Sequence, residues 1–345
     1  MITAELLKEL CEIPGPSGFE SRVTVRIKSI LDKCMDKAWI DTMGNVIGVK
    51  RCGKDGARKL LLDAHIDEIG MIVIGVEEGF LRFAKLGRLD ERTLPASGVE
   101  ILTEPSRYGV ISVLPPHILK KEDSEKLIKV EDLFVDTGLT QEEALTAIPL
   151  GTPCVLSRGI RRFGNNLLSG KALDGRACFA AILSALELLE DIELDVDLYV
   201  MASVQEEVGV RGASPGVFAI APDYAVVIDV VHAKTPDTKP FEALTELGGG
   251  AVVSRGPNMN VSITEKVIKL AVDNKIKHQI TVTPSGESGT NARVIQISRE
   301  GVATAVLGVP MRYMHGSFEV VSLDDIENTA RLICETAKAI EGGAL

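Results

Sequence analysis

One segment, residues 59–65, restricts the possible folds more than any other part of the chain. Its sequence, KLLLDAH, is apolar on both faces of an extended strand until it ends in polar side chains. A strand with two apolar faces must be covered on both sides, which is typical of a sheet that lies between helices. We therefore predict an α/β fold in which helices cover this strand.

Helical and strand-like patterns alternate over much of the rest of the chain. Residues 3–11 and 19–34 have helical spacing, and the PGPSG cluster between them predicts a turn. After residue 161, runs such as DVDLYVMASV and YAVVIDV indicate strands between predicted helices. This alternation predicts a mostly parallel sheet with helices on both faces, in which functional sites form at the carboxyl ends of the strands.

Residues 70–161 have a different pattern. Short strand-like runs separated by Gly and Pro fill this region, and one helix is predicted after Thr140, where Glu143 completes a capping box. With 345 residues, the chain is long enough for two domains. We predict that residues 70–161 form a small β-rich domain inserted into a larger α/β domain of residues 1–69 and 162–345.

The net charge limits the partners of the protein. Asp and Glu total 49 against 38 Lys and Arg, which gives a formal net charge of −11. Such a surface repels phosphate backbones and anionic lipid, so we expect neither nucleic acid nor a membrane as a partner. In agreement, no apolar run reaches the roughly 18 residues that a membrane span needs.

The cysteines indicate the compartment. The six cysteines are scattered without a CxxC pair, and the first predicted helix lacks the basic and apolar regions of a secretion signal. Reduced and mostly buried thiols are the better interpretation of this pattern. We therefore expect a cytoplasmic protein.

Side chains that bind metals or protons recur at the ends of the predicted strands. The candidates follow a buried strand or, in one case, open a helix: His65, Asp67, Asp174, Glu206, Glu207, Asp229 and His315. Each has an ordinary alternative, because an Asp at a helix start is usually an N-cap and paired glutamates are usually solvated. However, Glu206 and Glu207 end an apolar strand, where two carboxylates would repel each other without a cation. We therefore predict that these side chains converge on one edge of the sheet.

The combination of ligand types predicts the cofactor. Three carboxylates and two imidazoles suit two divalent ions of the zinc, cobalt or manganese kind. A hydroxide that bridges two such ions would leave the centre neutral, and one glutamate of the pair would be free to take a proton from the bridging water. Asp67, two residues beyond His65, could orient that imidazole.

These residues, in this order, resemble the M42 family of metallo-aminopeptidases, whose members are also labelled cellulase M or endoglucanase-like. The similarity covers the whole chain. Its most specific motif is QEEVGVRGA at residues 205–213, in register with AHIDEIG at 64–70 and ALDGR at 172–176. The shorter HxD and DGR pieces alone would be weak signals.

The resemblance implies a ligand set for two divalent metal ions, with Zn or Co expected and Mn as a further candidate. Asp174 matches the ligand that bridges both ions. His65 and Asp229 then complete one metal site. Glu207 and His315 complete the other.

The resemblance also implies the catalytic residues, the fold and the assembly. Glu206 matches the general base, and Asp67 matches the partner of His65. The larger domain is expected to be zinc-exopeptidase-like, and the insertion to be a PDZ-like module that assembles subunits into a homo-oligomer, a dodecamer in the family. The implied activity is removal of N-terminal residues from short peptides.

Two segments depart from the family pattern. The family commonly has Gly-Thr-Asp-Ala where residues 289–292 read GTNA, so Asn291 replaces a carboxylate near the expected site. After His315 the chain reads GSFE at residues 316–319, where family members more often have Ser or Thr and Pro. The first departure could change substrate preference or the charge around the ligands, and we expect the second to affect the loop; neither removes a ligand.

Three other functions stay open. A metal-dependent deacylase or carboxypeptidase would use the same ions with a different pocket. A glucanase, as in the older family label, would need a sugar groove lined by aromatics, and one Trp and four Tyr make this unfavourable. A binding particle that has kept its ligands would be non-enzymatic.

Overall fold

The computed structural model describes residues 4–115, 117–118, 128–239, 245–283 and 289–340. The predicted start of the first helix at residue 3 lies outside the described residues. The helices are α1 (Ala4–Glu12), α2 (Ser21–Cys34), α3 (Gln141–Ala147), α4 (Leu173–Leu188), α5 (Ala213–Ile220), α6 (Val261–Asp273), α7 (Ala292–Ile295) and α8 (Leu323–Ala339).

The strands of the described ranges belong to two sheets. They are β1 (Lys37–Ile40), β2 (Val46–Lys50), β3 (Lys59–His65), β4 (Gly70–Glu77), β5 (Phe80–Leu86), β6 (Ser97–Ile101), β7 (Arg107–Ser112), β8 (Phe134–Asp136), β9 (Pro153–Leu156), β10 (Arg161–Phe163), β11 (Leu167–Gly170), β12 (Asp197–Ser203), β13 (Tyr224–His232), β14 (Ala251–Arg255), β15 (His278–Val282), β16 (Ala303–Arg312) and β17 (Glu319–Ser322).

The larger sheet is mixed. Within the described ranges it has eleven strands, and β3 lies between β12 and β13, with both of which it pairs in parallel. β16 continues the parallel part beside β13, whereas β1–β2, β2–β12 and β16–β17 pair antiparallel. The prediction of a mostly parallel sheet therefore holds for the four central strands and for the pair β14–β15, but not for the other pairings of the described strands. β1–β2, β10–β11 and β16–β17 are joined by short connections, which suit antiparallel neighbours.

Helices cover both faces of this sheet, as the two apolar faces of β3 predict. Leu60 and Leu62 pack in a cluster with side chains of α1, α2, α4, α6 and α8. Leu61, which points to the opposite face, packs with side chains of α5 and α7. The central strands are consequently buried on both sides, and polar side chains emerge where these strands end.

The smaller sheet is a closed barrel. Its strands follow the order β4-β5-β8-β7-β6-β9 and enclose a separate apolar cluster that includes Met71 and Phe83. The capping box predicted for α3 is confirmed, because Thr140 Oγ1 accepts the Glu143 N–H and Glu143 Oε2 accepts the Thr140 N–H at 2.9 Å. Closure leaves no free strand edge among the described strands of the barrel.

Loops of the barrel contact the segment that follows β16. The backbone N–H of Asp90 donates to the His315 carbonyl at 3.0 Å, and Ser317 Oγ donates to the Thr93 carbonyl at 2.6 Å. The guanidinium of Arg158 lies 4.9 Å from the ring centre of Phe318. The barrel therefore lies against the carboxyl edge of the large sheet, where β3, β13 and β16 end.

Two further expectations concern the thiols and the membrane. Each of the six cysteines is free, and four of them are buried, as predicted for reduced thiols. Among the described residues, no helix combines the length and the apolar composition needed to cross a membrane.

Candidate metal centre

His65 ends β3 and points into the centre of the candidate site. Its ring is almost fully buried, and Nδ1 lies 3.2 Å from the carbonyl oxygen of Asp67. Donation from Nδ1 to this carbonyl leaves the lone pair of a neutral ring on Nε2. Nε2 lies 3.0 Å from Oδ1 of Asp174 and 3.7 Å from Oδ1 of Asp229.

Asp174 lies in a turn at the start of α4 that the local sequence makes possible. The next residue, Gly175, has φ of 72°, and a Cβ atom there would lie 2.5 Å from the carbonyl oxygen of His65. Only glycine therefore allows this close approach. On the other side, Glu319 Oε2 accepts the backbone N–H groups of Leu173 and Asp174 at 2.8 and 3.1 Å.

The two carboxylate oxygens of Asp174 serve different clusters. Oδ1 faces His65, and Oδ2 lies 3.3 Å from Nε2 of His315. His315 Nε2 is also 3.3 Å from Oε1 of Glu207. Potential ligand atoms lie within 4.8 Å of one another in each of two triads, His65–Asp174–Asp229 and Asp174–Glu207–His315. Asp174 belongs to both.

Asp229 lies inside its strand, where the sequence predicts the end of one. β13 continues to His232, because residues 230–232 still pair with β16. The pairing of β13 with β3, in contrast, ends at Val227 and Asp63. Asp229 consequently lies beside the end of β3, close to His65.

Glu206 and Glu207 lie beyond the end of β12, in a loop that Asp67 supports. Asp67 Oδ1 accepts the Glu206 N–H at 3.0 Å, and Oδ2 accepts the Glu207 N–H at 3.1 Å. Ser17 Oγ also donates to Oδ2 at 2.5 Å. The carboxylate lies 3.5 Å from Nδ1 of His65 as well. Asp67 therefore contacts the predicted partner, His65, and in addition positions the glutamate pair.

Crowding of buried carboxylates perturbs their protonation. Burial raises the pKa of Glu206 to about 9, and burial also raises the pKa of Glu207 and of Asp229. Burial acts on Asp174 in the same direction, but hydrogen bonds with His315 and His65 outweigh it and lower its pKa. Burial lowers the pKa of His315, yet Asp174 and Glu207 raise it to about 11. A cation would reverse this balance by stabilising the charged carboxylates.

The side chains fit a divalent cation. Oε1 of Glu207 is buried and makes no hydrogen bond to any residue that the structure describes, although His315 lies nearby. An unpaired buried carboxylate oxygen is costly, and a bound cation would satisfy it. Mixed carboxylate and imidazole ligands suit zinc and its neighbours in the transition series. The clusters could therefore hold metal.

The clusters open into a cleft of about 540 Å³. Apolar side chains such as Val231, Met259 and Leu307 form part of its wall. Two arginines, Arg88 and Arg293, also line it. The cleft thus combines acidic, apolar and cationic surfaces next to the candidate metal ligands, which is typical of a site for a small organic substrate.

The two departures from the family pattern occupy defined positions. Asn291 Nδ2 donates to Asp63 Oδ2 and to Ser203 Oγ, each at 2.8 Å, in the buried layer behind His65. Residues 317 and 318 contact the barrel, as described above, and His315 stays within the cluster. Sequence reasoning missed Ser17, Glu319 and Asp63, whose roles depend on contacts with distant segments.

Comparison with known proteins agrees with this geometry. Residues 44–332 match the family described as M42 glutamyl aminopeptidase. The match and the fold define the class of protein as a peptidase, a hydrolase of peptide bonds. The chain belongs to the M42 peptidase family.

Relatives resemble the chain over nearly its full length. A lysyl aminopeptidase from Pyrococcus furiosus is 37% identical over 339 residues, which cover 96% of each chain. The structure of a TET aminopeptidase from a marine sediment Thaumarchaeota archaeon has a TM-score of 0.92 and 33% identity, covering 98% of this chain and 96% of its own. The Pyrococcus horikoshii TET1 peptidase, described as able to assemble into a tetrahedron or a large octahedral shell, has a TM-score of 0.85 and 32% identity, covering 97% and 99%.

These findings confirm the predicted family and the predicted class of activity. The family and the named relatives are aminopeptidases, so the prediction of a hydrolase that acts as a peptidase is correct.

Proposed function

We propose that the protein is a di-metal aminopeptidase that removes N-terminal residues from short peptides. One divalent ion would be held by His65, Asp174 and Asp229. The other would be held by Asp174, Glu207 and His315. The observation that carries this proposal is the orientation of Asp174, whose two oxygens face different histidines at 3.0 and 3.3 Å.

The protein side chains have distinct parts in the reaction. Divalent ions in this centre would supply a water molecule of lowered pKa and polarise the scissile carbonyl. Glu206 accepts the proton of that water at its carboxylate and transfers it to the leaving amine. Its potential ligand atom lies within 4.8 Å of those of His65 and Glu207, so its carboxylate borders the reacting groups.

Asp67 is a positioning residue in this proposal. Its two oxygens bind the backbone N–H groups of Glu206 and Glu207, one each. The same buried carboxylate therefore orients both the proton acceptor, Glu206, and a proposed metal ligand, Glu207. Such contacts to the ligands are typical of residues that support a metal centre without binding the metal.

We also propose a division of labour between two domains. Residues 1–69 and 162–345 would form the catalytic domain, with a zinc-exopeptidase-like fold, and residues 70–161 a PDZ-like assembly domain. The separate apolar cluster of the barrel supports this division. The assemblies described for the Pyrococcus horikoshii TET1 peptidase, one of them a dodecamer, support a homo-oligomer, and the dodecamer is the proposed form. The proposed compartment is the cytoplasm.

The test combines metal content with substrate choice. Protein stripped by a chelator is supplied with Zn, Co or Mn and assayed on aminoacyl anilides with free or acetylated amino groups. We expect two ions per subunit by elemental analysis and cleavage of the free substrates only. Release of acetate from the acetylated substrates, without cleavage of the free ones, would establish the deacylase instead. Two bound ions without turnover of any peptide substrate would favour the binding particle.

A further inference from the structure

A short loop of the barrel carries one arginine to the candidate metal centre. Arg88 follows Gly87, and a Cβ atom on Gly87 would lie 3.2 Å from Cβ of Glu207, so the loop backbone packs directly on that side chain. Two residues after Arg88, the N–H of Asp90 donates to the His315 carbonyl at 3.0 Å. The backbone around Arg88 is therefore fixed against two members of one candidate metal triad.

Among the described residues, Arg88 differs from the other cations of β5 and of the loop after it in having no acidic partner. It is exposed in the cleft, and no carboxylate lies within 4.0 Å of its guanidinium among the residues that the structure describes. The other cations of β5 and of the loop after it are paired: Arg82 with Glu77, Lys85 with Glu91, and Arg92 with Asp90. In a chain of net charge −11, an unpaired guanidinium beside a cluster of carboxylates is available to a ligand.

We propose that Arg88 binds a carboxylate group of the substrate, an inference that rests on the proposed aminopeptidase function. The planar guanidinium matches a carboxylate with two parallel hydrogen bonds, which gives both charge and geometry. A substrate carboxylate would otherwise be repelled by the acidic residues of the cleft. It could belong to an acidic N-terminal residue or to the free C-terminus of a short peptide, and both present the same group to Arg88.

A second unpaired arginine lines the cleft but lacks these constraints. Arg293 lies in α7, and among the described residues its side chain has no carboxylate within 4.0 Å. No hydrogen bond of its backbone involves His315 or Glu207 within the described ranges. We therefore assign carboxylate recognition to Arg88 and use Arg293 as a comparison.

The experiment uses four tripeptides with the metal-loaded protein. Glu-Ala-Ala and Gln-Ala-Ala differ only in the carboxylate of the first side chain, and each is prepared with a free or an amidated C-terminus. The values of kcat and KM are measured for the wild type and for Arg88→Gln, Arg88→Lys, Arg293→Gln and Arg92→Gln. Arg92→Gln removes an arginine of the same loop that is already paired.

We expect the wild type to prefer one kind of carboxylate over its amide by about tenfold in kcat/KM, the size of a charged hydrogen bond. Arg88→Gln should abolish this preference, chiefly through a higher KM for the peptides that carry the recognised carboxylate. The value of kcat/KM for the amidated Gln peptide, which lacks both carboxylates, should stay the same. Arg88→Lys should restore part of the preference. If Arg88→Gln loses the preference for Glu-Ala-Ala over Gln-Ala-Ala, the group bound by Arg88 is the side chain of an acidic N-terminal residue. If it loses the preference for the free over the amidated C-terminus, the group is the C-terminal carboxylate.

Several outcomes would overturn the assignment. A wild type without preference for either carboxylate, or a preference that survives in Arg88→Gln, would exclude it while leaving the aminopeptidase intact. A preference lost in Arg293→Gln alone, or an equal loss in Arg92→Gln, would move recognition elsewhere. If the wild type cleaves none of the four peptides but cleaves other free aminoacyl anilides, this inference fails and the aminopeptidase stands; if it cleaves neither, the proposed function fails as well.

Discussion

The carboxylate of Asp67 accepts the backbone N–H of Glu206 at 3.0 Å, so the residue two positions beyond His65 positions the proposed proton acceptor. The carboxylate is fully buried and its other oxygen accepts the next backbone N–H along the chain. Two strand ends that are far apart in sequence are thereby joined at the site by one side chain.

Asp67→Asn should impair turnover without unfolding the protein. An amide can accept only one of the two backbone N–H groups, because its nitrogen is a donor and would face the other. We expect kcat to fall about 10- to 100-fold, the usual effect of changing a partner of metal-centre residues. Ser17→Ala, which removes one donor to the same carboxylate, should have a smaller effect. Wild-type kcat in Asp67→Asn would contradict the positioning role.

Glu206→Gln should separate proton transfer from metal binding. Glutamine has the same shape but cannot accept and release the proton, so kcat should fall by about 10²- to 10⁴-fold. The ion content should stay at the wild-type value, because Glu206 is not one of the proposed ligands. Near-wild-type kcat would exclude Glu206 as the general base, and loss of an ion would make it a ligand.

His315→Ala should remove one of the two ions. Its Nε2 lies near Asp174 and Glu207 but belongs only to the second triad, so the ion held by His65 should remain. His232→Ala is the control, since this exposed histidine at the end of β13 lines the cleft but belongs to neither triad. Elemental analysis that finds two ions in His315→Ala would remove it from the ligand set.

Gly175→Ala should destabilise the protein more than a glycine substitution at an open position. A positive φ strains an alanine by about 1–2 kcal/mol. At residue 175 the added Cβ would also lie 2.5 Å from the His65 carbonyl, so we expect a total loss above about 2 kcal/mol. Gly138→Ala is the matched control, with φ of 69° and no heavy atom within 4 Å of the new Cβ. Equal losses in chemical denaturation would show that the contact is unimportant.

Asn291→Asp should make stability more sensitive to pH. Burial raises the pKa of Asp63 to about 7, so the folded protein binds a proton there between about pH 4 and 7 that the unfolded chain does not. Stability from this group is therefore greatest at acidic pH and is lost as pH rises towards 7. A second carboxylate at residue 291 would repel Asp63 and steepen this loss. The Tm difference from wild type, measured with a chelator, should widen from pH 5 to pH 8; a constant or shrinking difference would contradict the coupling.

Local sequence signals predicted most elements of the fold. The apolar strand at residues 59–65 required a covered sheet, and the box formed by Thr140 and Glu143 located α3, because both depend on near neighbours in sequence. β17, in contrast, has four residues and exists through pairing with β11 and β16. Its Glu319, which supports the turn at Asp174, could not be recognised for this reason.

The candidate site was predictable in composition and unpredictable in orientation. Motif order and strand ends selected the side chains that the structure brings together in two triads. The division of the Asp174 oxygens between them depends on the turn at Gly175, which approaches His65 from another strand. Likewise, that Arg88 has no carboxylate partner among the described residues depends on where all its neighbours lie in space, and no local motif predicts it.

The hydrogen bonds from Asp90 to His315 and from Ser317 to Thr93 limit which segments can be exchanged between this protein and its relatives in chimeras. The barrel cannot be exchanged as an independent unit, because its loop after β5 forms part of the wall of the cleft. A chimera that receives a foreign barrel would also need the donor's loop after β16, or the graft would open a gap beside His315. Recombination within the family should therefore preserve these two segments as a pair, even though more than 200 positions separate them in the chain.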